Sequence, residues 1–157
     1  MNEKQAAEID ALMKQHDTRT GKLGDDERAQ AEFAAEFGRV SRETIKPTME
    51  QVVEKLRTAG HHAAVAEAIR KTGADSDRPH AIRLEILPAD VKRESYAKNE
   101  LPGITFSAEA GMKVVVVSRS GRPDAEHATG PRRRFRLSEI TPEMITEEIV
   151  EVLKRTF

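Results

Sequence analysis

The chain has no cysteine and no tryptophan, and its 157 residues include one tyrosine and five phenylalanines. Without thiols there is no disulfide, no thiolate metal site and no cysteine nucleophile, which suits a reducing cytoplasm. So few rings argue against single-stranded nucleic-acid recognition, which stacks bases on exposed aromatics. Charge of one sign is missing too. The 26 basic residues stand against 27 acidic ones, a formal net charge of -1, so any electrostatic partner must be met by a local patch. The longest apolar run of note, Val114–Val117, is far too short to span a bilayer. Met1-Asn2-Glu3-Lys4-Gln5 is polar where an export signal would be basic and then apolar. A protein without a membrane partner is expected.

What is present is enough for one core. Hydrophobic residues make up 38% and charged residues 34%, a globular interior under a heavily solvated surface. From Asp25 to Ala59 apolar residues recur at helical spacing: Phe33, Phe37, Val40, Ile45, Met49, Val52, Leu56 and Ala59. Asp25 or Asp26 is placed to cap this helix, and Pro47 predicts a kink, or a stop near Ile45 and a restart with proline in the first turn. Gly60 predicts a left-handed end. Upstream, residues 2–16 read as a short helix with Ala6, Ile9, Leu12 and Met13 on one side. Asp17–Gly24, with two glycines, reads as a linker.

The second half reads as strands. The alternation of His61, Ala63, Val65, Glu67 and Ile69 predicts a strand in competition with helix-favouring alanines. Strands follow at Ala81–Leu87, Ile104–Ala108, Met112–Ser118 and Arg133–Leu137. Gly111 is expected to supply the positive φ of the 109–111 hairpin, and the four valines at 114–117 suggest a strand covered on both faces. Residues 141–156 predict a helix, with Thr141 as cap, Pro142 in its first turn, Ile140 clasping Ile145, and Ile145, Ile149, Val152 and Leu153 as its buried stripe. The expected architecture is α+β: a short helix and linker over 1–24, then one domain over 25–157. That domain has a helical arm (25–59), a four- or five-stranded antiparallel meander (61–137) and a C-terminal helix packed on the sheet.

No constellation of catalytic residues emerges. Ser118-Arg119-Ser120-Gly121 is not a nucleophile elbow, and no glycine-rich phosphate loop is present. The pair His61-His62 splits to two faces of a strand. With His80, His127, Asp124 and Glu126 it matches no metal-ligand spacing, so no metal or other cofactor is expected. Three function classes follow. The leading expectation is a noncatalytic interaction or scaffolding module that dimerises, or meets a protein partner, through Phe33, Phe37, Val40, Ile45, Met49, Val52 and Leu56. Part of that stripe steps by four and three like a heptad, and its length exceeds what a small sheet was expected to cover. The second is binding of an anion or nucleic-acid phosphate by Arg132, Arg134 and Arg136 on one strand face, with Arg119 and Arg122 beside them. The competing reading is an edge strand guarded by outward charge. The spacing of Arg132 and Arg136 is similar to the Arg-x-x-x-Arg of the cyclic-di-GMP-binding PilZ family, but that family's Asp/Asn-x-Ser-x-x-Gly does not follow Leu137, and the chain is not assigned to it. The third is an enzyme using His61 or His127 with nearby acids.

Overall fold

Asn2 starts the first helix. Its side chain accepts a hydrogen bond from the Gln5 N–H at 2.8 Å, while the Gln5 side chain accepts from the Asn2 N–H at 3.2 Å, a reciprocal cap. In the computed structural model, which describes residues 2–71, 77–95, 101–120 and 132–157, this helix (α1, Glu3–Val40) runs on through the segment expected to be a linker. Gly21 and Gly24 each cost a helix interior about 1 kcal/mol relative to alanine. No proline stands there, however, and an Asp25 or Asp26 cap is not needed because the helix never breaks. At 1.5 Å per residue α1 is about 57 Å long.

Pro47 is absorbed by a change of helical winding. A π-helical turn spans Ser41–Ile45, closed by the Lys46 N–H donating to the Ser41 carbonyl, and α2 (Lys46–Thr58) restarts with Pro47 in its first turn. The wide turn accommodates a ring that would otherwise clash with the carbonyl four residues back. Helix α2 ends as the sequence predicts. Gly60 takes φ +93°, the Gly60 N–H donates to Arg57 O at 3.0 Å and the His61 N–H to Leu56 O at 3.0 Å.

Five strands follow: β1 (His62–Lys71), β2 (Asp77–Leu87), β3 (Gly103–Glu109), β4 (Val114–Ser120) and β5 (Arg133–Phe135). They form one antiparallel sheet in sequential order, so β1 and β5 are its edges. At the β3–β4 turn it is Lys113, with φ 53°, that adopts the left-handed conformation rather than Gly111. Helix α3 (Pro142–Thr156) is capped by the Thr141 hydroxyl, which accepts from the Met144 N–H at 3.2 Å.

Register puts Ala63, Val65, Ile82, Leu84, Ile86, Ile104, Phe106, Val115, Val117 and Phe135 on one face, and all three helices cover it. The end of α1 lies on β2, α2 on β1, and α3 on β3 and α2. The opposite face carries Ala64, Arg83, Glu85, Thr105, Ser107, Ser118 and Arg134, half-buried or exposed, with Val116 buried among them. On this face Gly103 lets two groups approach: an added Cβ would collide with the Leu84 carbonyl oxygen and press on the Arg83 guanidinium. That guanidinium donates to Thr105 Oγ1 at 2.9 Å and Leu101 O at 2.6 Å. Gly103→Ala is therefore expected to lower stability by about 1–3 kcal/mol, read as a shift in the urea midpoint; an unchanged midpoint would show that β2 and β3 separate freely.

Candidate functional site

The arginines expected to form one anion patch are divided between the two faces of the sheet. Arg119 pairs in register with Ile104 and so points to the helices, where it is 8% exposed against a Glu148 that is 5% exposed. Its Nε lies 3.5 Å from Glu148 Oε2, and Arg133 Nη1 donates to Glu148 Oε1 while its guanidinium rests 5.1 Å from the centre of the Phe135 ring. Arg119 therefore belongs to an Arg–Glu–Arg triad, buried at Arg119 and Glu148 and exposed at Arg133, that ties β4 and β5 to α3. It is not available to a ligand beside β5. Arg132, Arg134 and Arg136 are exposed, and Arg134 lies on the open face opposite Val116. Arg122 lies outside the described residues. The strand itself is a three-residue edge, the geometry in which outward arginines guard against a further strand. In the sequence Glu148 reads only as one of the acids, with Glu143 and Glu147, that precede Lys154 and Arg155 in the order the helix dipole favours, although 148 falls between Ile145 and Val152 on the buried stripe of α3.

The stripe expected at a dimer interface is a second correction. Phe37, Ile45 and Met49 are fully buried, Val40 and Leu56 nearly so, and Phe33 and Val52 pack against the same core, which includes Val115 and Val117. The sheet covers the stripe because the helical run divides over two strands, α1 on β2 and α2 on β1, instead of crossing the sheet in one straight line.

Nor do His61 and His62 share a site. His61 Nδ1 accepts the Ala89 N–H at 3.0 Å and its ring packs 4.5 Å from that of Phe157, while His62 is exposed. His127, Asp124 and Glu126 lie outside the described residues. Among the described residues no three His, Cys, Asp or Glu side chains are grouped to hold a metal ion, and no helix is long and apolar enough to cross a membrane. A cleft of about 340 Å³ is lined in part by His62 of β1, Glu85 and Leu87 of β2, and Arg93 and Leu101. Glu85 there is paired with Arg83 at 3.4 Å.

Two surfaces remain. One is the N-terminal part of α1, where Ile9, Leu12 and Met13 are 48%, 56% and 57% exposed. Among the described side chains the first α1 residue that packs against the core is Phe33, and residues 3–32, about 45 Å of helix, precede it. The other is a cleft of about 640 Å³ between α2 and the outer edge of β1, lined by Lys46, Glu50, Val53, Glu54, Arg57 and Val65 among others. Family models, curated proteins and solved structures give no match to this chain.

Proposed function

We propose that this protein is a noncatalytic protein-interaction module that assembles as a homodimer through the N-terminal part of α1. The observation that carries this reading is the exposure of Ile9, Leu12 and Met13 on one flank of a helix that has left its own core behind. Helical stability in water comes mainly from burying an apolar face, and a lone helix gains little from propensity. Burying each of these side chains against another helix returns about 1.5–3 kcal/mol. A second copy supplies the same stripe, so the pairing is self-complementary and closes as a dimer.

Light scattering coupled to size exclusion tests it. The full chain is expected at twice its 17.5 kDa mass, and the triple variant Ile9→Asp, Leu12→Asp, Met13→Asp at one chain mass. A wild-type monomer at every concentration, or a triple variant that remains dimeric, overturns the proposal. Circular dichroism on diluted wild type adds a second readout. Separated arms are expected to lose helix signal while the sheet, which does not depend on them, stays folded.

A further inference from the structure

The two edges of the sheet are treated differently. β5 is three residues long and flanked by exposed arginines, whereas β1 is ten residues long and its first seven, His62–Ala68, include one charge and no proline. That charge, Glu67, is neutralised by Lys46 Nζ at 2.9 Å, which in turn holds the Lys46 ammonium above its ordinary pKa. A bulge at Ala68/Ile69 ends the regular stretch.

Register shows which backbone groups this edge offers. The Ile86 N–H donates to Pro102 O at 2.8 Å, on the β3 side, so Ile86 exchanges no ladder bonds with its partner Ala63 on β1. Antiparallel pairs alternate between bonded and unbonded, so Ala63, Val65 and Glu67 all point their N–H and C=O groups away from the sheet. One of these is already taken from outside: Arg57 Nη2 on α2 donates to Ala63 O at 3.1 Å. Val65 lines the cleft under α2, and the outward groups of Glu67 continue the same edge beyond it. The helical wall of the cleft presents Val53 between two acids, Glu50 and Glu54, that stand one turn apart.

We propose that this cleft takes an extended peptide segment of another protein as a sixth strand on β1, one that carries apolar and basic side chains two residues apart. Strand addition supplies main-chain bonds to Val65 and Glu67, and alternate side chains then reach the same wall. An apolar residue meets the half-buried Val65, Val53 being already consumed by the core, and a lysine or arginine meets the exposed Glu54 and Glu50; Lys46 is engaged chiefly by Glu67, with a lesser pull from Glu50, and Arg57 by Ala63. This site is separate from the dimer surface proposed on α1.

The test uses the full chain and three probes. They are acetyl-Thr-Val-Thr-Lys-Thr-Val-amide, the same peptide with glutamate for lysine, and the lysine peptide N-methylated at alternate residues. The expected result is that the lysine peptide slows hydrogen exchange at the Val65 and Glu67 amides, that the glutamate peptide binds about tenfold more weakly, a difference of ~1.4 kcal/mol, and that N-methylation abolishes binding. Glu50→Lys with Glu54→Lys, both on the exposed side of α2, is expected to reverse the preference. Absence of protection with the lysine peptide overturns the proposal, as does equal binding of the N-methylated one. Protection of Val65 and Glu67 that rises with protein concentration and no peptide would give the edge to a second copy instead, and would also overturn it.

Discussion

Glu148→Ala is expected to lower the free energy of unfolding by about 3–5 kcal/mol, because it leaves Arg119 charged, buried and without its counter-ion. Both groups are over nine-tenths buried, and neither Arg119 Nε nor Glu148 Oε2 has a hydrogen-bond partner of good geometry in addition to their 3.5 Å ion contact. The Arg119–Glu148 contact is thus a charge compensation between buried groups more than a hydrogen bond, which makes removal of one partner costly and removal of both cheap. Arg119→Met combined with Glu148→Leu is expected to regain most of the loss, and Arg133→Ala to cost less than Glu148→Ala, since the Arg133 side chain is 48% exposed and Glu148 keeps Arg119 as its counter-ion. Urea unfolding of the three variants measures this directly. A single Glu148→Ala that loses under about 1 kcal/mol would mean that water reaches Arg119 and that the triad does not clamp α3 to the sheet.

Phe37→Ala is expected to be of the same size, about 3–5 kcal/mol, while Leu12→Ala in dilute protein changes stability by less than about 0.5 kcal/mol. The two residues lie on one continuous helix and are both large and apolar. Only their surroundings differ: Phe37 is fully buried with Ile45 and Met49, and Leu12 is more than half exposed. Comparing the two urea midpoints therefore locates where along α1 the domain ends. Equal losses at both sites would place the arm inside the cooperative unit and undo the proposed division of labour.

Much of the fold was legible from the chain. Thr141, Pro142 and Ile140 marked the start of α3, Gly60 marked the end of α2, and strand alternation after it prevailed over the helical preference of the alanines. These are local signals, each decided within a few residues by sterics or by orphaned backbone groups. The linker reading at 17–24 failed because glycine weakens a helix without ending it; a stop needs a competing cap or a proline. Gly111 was the wrong residue at its turn. Where in a turn the positive φ falls depends on the register of the two strands, which placed it at Lys113.

The site was less legible. Arg119 and Arg134 belong to one basic stretch of sequence, yet β4 and β5 turn them to opposite faces, and the acid that neutralises Arg119 comes from α3. The stripe from Phe33 to Leu56 showed its apolar side plainly but not what covers it.

By itself the sequence determined which residues prefer helix or strand, where several of the elements begin and end, and that the chain carries no thiol chemistry and no strong net charge. The tertiary structure decided which apolar faces are consumed internally, which arginines are neutralised, and which of the described strands lie at the edges of the sheet. The reason is one of range: caps, turns and periodicity act over a few residues, whereas burial and charge compensation depend on groups far apart in the chain that only packing brings within 4 Å.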